Sequence, residues 1–243
     1  MAPGGTEPTV TRNASAEEVA RFDRLADRWW DPAGPMRPLH RMNPLRVGWI
    51  AERIDRRFPD PSAVRVLDVG CGGGLAAEAL ARRGYDVLGV DAAGEAVAVA
   101  RRHAEGLDLR LAYRKADAED LPGERFEVVT ALEVIEHVPD QARFVAALAR
   151  LLTPGGMLFV STLNRTPAAF ATAKVGAEYL LRLLPVGTHD WRRFLRPAEL
   201  GAMLREAGLR PADAAGMTPD GLRGGWRAGT DLAVNYIMAA EKA

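Results

Sequence analysis

The chain has 243 residues, and its 32 Lys and Arg balance 32 Asp and Glu. Zero net charge leaves no basic field for nucleic acid, so nucleic acid is not expected as a partner and binding must come from local sites. The single cysteine, Cys71, excludes a disulfide framework and fits a reducing compartment, and no run of about 18 apolar residues is available to span a bilayer.

Met1 to Val10 is rich in Pro and Gly and lacks an apolar core, so no signal peptide is expected there, and residues 1–14 read as a disordered leader to a cytoplasmic protein. The rest of the chain, 15–243, reads as one domain. Ser15 caps a helix, with Glu18 three residues on to complete a capping box, and Val19, Phe22, Leu25, Ala26 and Trp29 share one face. That helix is expected to stop at Asp31-Pro32 and to belong to a helical cover over 15–60. Between Trp29 and Arg46, aromatic, basic and histidine groups mix in a segment broken by prolines, a chemistry suited to lining a site.

From Arg65 to Asp91 the sequence RVLDVGCGGGLAAEALARRGYDVLGVD reads as a strand, a glycine turn, a helix and a second strand. Gly70, Gly72, Gly73 and Gly74 let the backbone turn tightly and approach a ligand, toward which the helix points its amide end. Asp91 lies about 20 residues beyond the first glycine, the spacing at which a carboxylate accepts hydrogen bonds from ribose hydroxyls. An adenosine-containing cofactor is expected. The dinucleotide fingerprint needs a small sixth residue over a pyrophosphate, and here that residue is Leu75, so a pyrophosphate is not the expected guest. Cys71 in the turn reads as a small residue filling a tight bend.

A helix from Gly94 to Glu105 and a third strand from Leu109 to Arg114 lead to the acidic run at 117–120. His103, on the charged face of that helix, reads as inert. Phe126 to Ala131 forms a fourth strand, which places Leu132 at its carboxyl end, where open α/β sheets bind ligands and where it would pack on an adenine. Glu133, Glu136 and His137 follow in a helical first turn or an irregular loop, with Glu133 on the side of the other two if helical. They suit either a hard divalent cation such as Mg²⁺ or, through His137, base catalysis. Met157 to Ser161 is a fifth strand. Residues 162–194 then insert a helix whose Lys174, Glu178 and Arg182 make one polar stripe among apolar residues including Phe170, Leu180 and Leu184. With Arg165, Arg192, Arg193 and Arg196 nearby, the insertion reads as an interfacial lid, apolar toward lipid and basic toward anionic headgroups; internal packing is the alternative. An irregular linker precedes a last strand from Leu232 to Ala240, which carries Asn235 and Tyr236.

The run VLDVGCGGG, with Asp68 in the strand, resembles the first motif of class I S-adenosylmethionine (SAM)-dependent methyltransferases. The resemblance implies an α/β, Rossmann-like sheet of order 3-2-1-4-5-7-6 with the last strand antiparallel. It also implies SAM held by the turn at Asp68, Gly70, Cys71 and Gly72, with Asp91 on the ribose and Asp117 on the adenine amino group. RWWD, PLHRMNPLR, STLNR, VGAEYLLR and GTHDW narrow it further, because they resemble the bacterial ubiquinone-biosynthesis O-methyltransferases over residues 17–240. In that family the arginine of NPLR contacts the cofactor, which maps to Arg46, and an arginine fork suits a carboxylate. The resemblance implies a polyprenylated phenol or quinol as acceptor, other enzymes of the same pathway as partners, and peripheral attachment to the inner face of the membrane. It also implies catalytic roles for Glu133, His137 and His189 and, from the Glu-x-x-Glu-His pattern of eukaryotic relatives, a metal site at Glu133, Glu136 and His137. A C-methyltransferase of a related small molecule and a membrane-associated scaffold with a vestigial site are the alternatives.

Overall fold

The computed structural model describes residues 16–171, 191–220 and 225–243. The expected leader and most of the lid insertion, including His189, lie outside the described residues. An eight-stranded sheet runs in the order β3-β2-β1-β4-β5-β8-β6-β7. Its parallel half comprises β1 (Arg65–Val69), β2 (Asp86–Asp91), β3 (Leu111–Lys115), β4 (Phe126–Leu132) and β5 (Leu152–Leu163). β8 (Asn235–Lys242) lies antiparallel between β5 and β6 (Leu209–Asp220), as expected of the last strand. β7 (Gly225–Gly229) is an addition, an edge strand hairpinned onto β6.

The stretch before the last strand, expected as an irregular linker, therefore contains two strands, β6 and β7. The sequence LRPADAAGMTPD of β6 has few β-branched residues and two prolines, and it becomes a strand because β8 offers a ladder. Its register shift between Pro211 and Asp213 accommodates the first proline.

Helices cover both faces. The alternation within β1 sends Val66 to one core and Leu67 and Val69 to the other. On the first face pack α2 (Arg37–Arg57), α3 (Leu75–Ala81) and α4 (Gly94–Ala104); on the second, α5 (Gln141–Arg150) and α6 (Pro197–Glu206). α2 corrects the expectation of a broken segment over 38–46. Pro38 sits in the first turn, where its missing N–H costs nothing, and the helix continues through Pro44. An interior proline costs about 3 kcal/mol. Burial of Met42, Val47, Trp49, Ile50 and Ile54 along one face offsets it, at about 1.5–3 kcal/mol for each fully buried large side chain.

α1 (Ala16–Leu25) ends earlier than expected and passes into a short 3-10 turn, Ala26–Arg28. Its apolar residues Val19, Phe22 and Leu25 join Trp29, Met36 and Leu75 in a third cluster across the carboxyl ends of the strands. Among the described residues no helix is long and apolar enough to cross a membrane.

Candidate functional site

The carboxyl ends of β1, β2 and β4, roofed by α1 and the start of α2, enclose a cavity of about 400 Å³, within the size range of small-molecule sites. The glycine turn forms its floor. Gly70 and Gly72 have φ of +71° and +52°, conformations that favour glycine. The space above them is filled by protein. A Cβ on Gly70 would come within 2.3 Å of Val134, one on Gly72 within 2.0 Å of Trp29, and one on Gly73 within 2.3 Å of the same indole. The sequence reading assigned that clearance to a ligand; much of it seats Trp29. The neighbouring Trp30 donates from Nε1 to the Gly73 carbonyl at 2.8 Å and stacks on His103 at 3.4 Å. His103, expected to be inert, anchors this stack through Glu78, 2.7 Å from its Nδ1.

Three charged groups converge on the turn. Asp91 accepts from the Gly72 and Ala93 N–H groups, both at 2.8 Å, and so ties the turn to the end of β2. Burial raises its pKa, and those two N–H groups pull it back. Asp68 accepts from Thr130 Oγ1 at 2.6 Å; burial pushes its pKa up to about 6, against the Thr130 bond and the Arg46 charge. Its other oxygen makes no close hydrogen bond, although the Ala77 N–H lies near enough to favour the charged form slightly. Arg46 is buried, donates to Asn43 Oδ1 at 3.2 Å, and keeps Nε and Nη1 unpartnered. Burial lowers its pKa, while Glu133 and Asp68 oppose that. An unmet guanidinium edge beside an unmet carboxylate oxygen is complementary to an amino-acid group, with its carboxylate and ammonium. The residues present thus fit SAM. Burial and the Asp91 and Asp68 charges raise the Cys71 thiol well above its usual range, which keeps it neutral, as its reading as a turn filler requires.

Leu132 and Asp117 both line the cavity. Asp117 also caps the 3-10 turn Ala118–Asp120, an engagement the sequence did not reveal. Glu133 is the one non-glycine residue with positive φ among the described residues, at 59°. Ser161 Oγ donates to Glu133 Oε1 at 2.7 Å, and Asn235 Nδ2 reaches Oε1 and Oε2 at 3.2 and 3.0 Å. Glu136 is buried and accepts from Thr162 Oγ1 at 2.8 Å. Burial, then the neighbouring Glu133 charge, push its pKa up to about 7. His137 faces α1, with Nδ1 3.1 Å from Glu18 Oε2 and its ring edge-on to Phe22.

The segment is a loop, which settles the choice between helix and loop. Its two carboxylates bond to β5 and β8, while the imidazole turns to α1. Among the described residues no group of three His, Cys, Asp or Glu stands together as metal ligands. The rest of the lining is apolar. Phe22, Leu39, Met36 and Met42 come from the cover, and Met217, Pro219 and Trp226 come from the β6–β7 hairpin. Sequence reasoning missed the hairpin wall and Asn235, whose parts meet only when the sheet closes.

A family model for a methyltransferase domain matches residues 40–213. The chain is 47% identical to the ubiquinone biosynthesis O-methyltransferase of Azorhizobium caulinodans, over 96% of this chain and 97% of that one. It is 48% identical to the protein of the same name from Xanthomonas axonopodis pv. citri, over 95% of each, and 46% identical to that from Pseudomonas aeruginosa, over 95% and 98%. Among solved structures, the magnesium protoporphyrin IX methyltransferase of Synechocystis PCC 6803 with bound SAH shares the fold. Its TM-score is 0.67 at 21% identity, over 93% of this chain and all (100%) of that one. A possible histamine N-methyltransferase from Thermotoga maritima follows at 0.64 and 18%, over 93% and 99%. With these motifs, this sheet and near full-length similarity to its relatives, the chain belongs to the ubiquinone biosynthesis O-methyltransferases, a family of SAM-dependent enzymes.

Proposed function

We propose that this chain methylates phenolic hydroxyls of polyprenylated catechol-type intermediates, the 2-polyprenyl-6-hydroxyphenol and the later demethylated ubiquinol. The observation that carries this reading is the composition of this cavity: buried, partly unmet charges at the glycine turn, and a lining that includes Met, Phe and Trp. Bound at the turn, SAM supplies an electrophilic methyl group on a sulfonium. Arg46 takes its carboxylate, Asp68 its ammonium, Asp91 its ribose hydroxyls, and Leu132 and Asp117 its adenine. Gly70, Cys71 and Gly72 provide the backbone floor.

A phenol is a poor nucleophile until its proton leaves. Glu133, presented on the cavity wall by Ser161 and Asn235, accepts that proton, and His137 at the mouth of the cavity is the second acceptor. The apolar wall holds the start of the prenyl tail and excludes water, so that oxygen and methyl carbon stay aligned. The test is incubation of the purified chain with SAM labelled on the methyl group and a prenylated catechol, followed by mass analysis of the lipid fraction. Label on oxygen supports the reading, and label on ring carbon refutes it. In the same assay, activity lost in EDTA and restored by Mg²⁺ would support a cation held by Glu133, Glu136 and His137. Undiminished turnover leaves the proton to protein groups alone.

We further propose that the insertion after β5 rests on an anionic membrane surface at its cytoplasmic face. In support, Phe170 is the one exposed large hydrophobic residue among those described, with Trp191 edge-on to it and Arg192 and Arg193 beside it. Flotation with anionic liposomes is expected, and its persistence when Phe170, Leu180 and Leu184 are all made polar would refute the lid.

A further inference from the structure

The sheet brings Asn235 to Glu133 from 102 residues away, and the local construction is elaborate for one side chain. Asn235 opens β8 opposite Leu163 of β5, while Ser161, two residues earlier on β5, lies opposite Leu132, just before Glu133. Three side chains or backbone groups pin the approach to β8. Asn164 donates from its backbone to the Val234 carbonyl at 2.7 Å and from Nδ2 to that of Leu232 at 2.7 Å, and Thr166 Oγ1 donates to that of Ala233 at 2.6 Å. The approach also crosses β6 so closely that a Cβ on Gly216 would lie 1.6 Å from the Asp231 carbonyl oxygen.

At the end of this scaffold, Asn235 Nδ2 donates to both oxygens of the Glu133 carboxylate, and Asn235 keeps a buried Oδ1 without a partner. Glu133 itself is held with φ 59° by its N–H on the Ser161 carbonyl at 3.0 Å and its side chain on Ser161 Oγ. Non-glycine residues in that region cost of order 1–3 kcal/mol and persist where the surroundings over-determine them, commonly at functional sites.

We propose that Asn235, assisted by Ser161, is the positioning residue that fixes the orientation of the Glu133 carboxylate on the cavity wall toward the acceptor. The inference rests on the reading of Glu133 given above. Asn235 does its work through Glu133, so removing it misaims a carboxylate and leaves the SAM subsite at Arg46, Asp68 and Asp91 intact.

The test uses the full chain with Asn235→Ala, Ser161→Ala, Glu133→Gln and the doubles Glu133→Gln/Asn235→Ala and Glu133→Gln/Ser161→Ala. Misplacement of a reacting group by about 1 Å costs on the order of 100-fold. The expected result is a fall in kcat of that order for Asn235→Ala, with SAM affinity and acceptor KM near those of the unmodified chain and no further loss when it is added to Glu133→Gln. Ser161→Ala gives the same non-additivity should Asn235→Ala not fold. Hydrogen–deuterium exchange over residues 131–138 is expected to rise in both single variants at unchanged melting temperature, and it reads the clamp whether or not the acceptor has been identified. A wild-type kcat, a full additive penalty on top of Glu133→Gln, or unchanged exchange would overturn the proposal. An unmodified chain inactive on every phenol, with exchange still raised in the variants, would instead refute the proposed function and leave the clamp standing.

Discussion

The glycine turn and the wall around Glu133 belong to one cavity but draw their parts from very different distances along the chain. The turn is contiguous: β1, four glycines, α3 and β2 lie within residues 65–91, and Asp91 closes the unit by bonding back to Gly72. The opposite wall is assembled from α1, α2, the end of β4, β5, β8 and the β6–β7 hairpin. The first offers buried charge, the second apolar surface and one clamped carboxylate. In the function proposed above, the cofactor would be met by the compact unit and the acceptor by the elements around it.

The largest effect that would break this division is loss of cofactor binding from the turn alone. Asp91→Ala is expected to weaken SAM binding about 100-fold, since a charge-assisted hydrogen bond contributes about 1.5–3 kcal/mol and this carboxylate would make two to the ribose. Calorimetric titration reads it, and unchanged affinity would place the ribose elsewhere. Next comes Gly72→Ala, which forces a Cβ against Trp29 at a positive φ. Overpacking costs about 1–3 kcal/mol, to be seen as a lower urea midpoint. A neutral outcome would show that Trp29 leaves its seat at little cost.

The same contrast decides what could be read in advance. The turn was legible because its period, glycines and acid are local. Arg46 entered only through family resemblance, since nothing in NPLR by itself announces a buried arginine. α2 was obscured by Pro38 and Pro44, whose cost tertiary burial outweighs. β6 was obscured by a composition that only the β8 ladder makes extended. Trp29 was legible as a core residue of its helix but not as the partner of Gly72 and Gly73, and Asn235 as a residue of the last strand but not as the partner of Glu133, because one strand inserted antiparallel decides where it lands. The Glu-x-x-Glu-His pattern pointed to a ligand set, while the partners that its members take within the chain, Ser161, Asn235, Thr162 and Glu18, are set by tertiary structure.

On the acceptor side, Trp226→Ala removes part of the hairpin wall. Burial of a large side chain contributes about 1.5–3 kcal/mol, so acceptor KM is expected to rise by about tenfold or more while SAM affinity holds. A change in SAM affinity instead would erase the distinction between the two ends. The smallest effect concerns Glu136. Its folded-state pKa is raised from 4.5 to about 7, so the native state keeps a proton that the unfolded chain has released. The stability this contributes is full below the unfolded value and is lost as pH rises through the folded one. Melting temperatures between those limits are expected to depend less on pH in Glu136→Gln than in the unmodified chain, and an unaltered slope would mean that Glu136 is ionised throughout.

The most direct measurement is a calorimetric titration of SAM into the unmodified chain and into Arg46→Ala, with melting curves for both. Saturable binding at a single site in the first, lost by about 100-fold or more in the second with the fold retained, is the expected result, since breaking a buried charged contact costs about 3–5 kcal/mol. Equal affinity in the two, or no binding by the unmodified chain at millimolar SAM, would contradict a cofactor seat built on buried, unmet charge at the glycine turn.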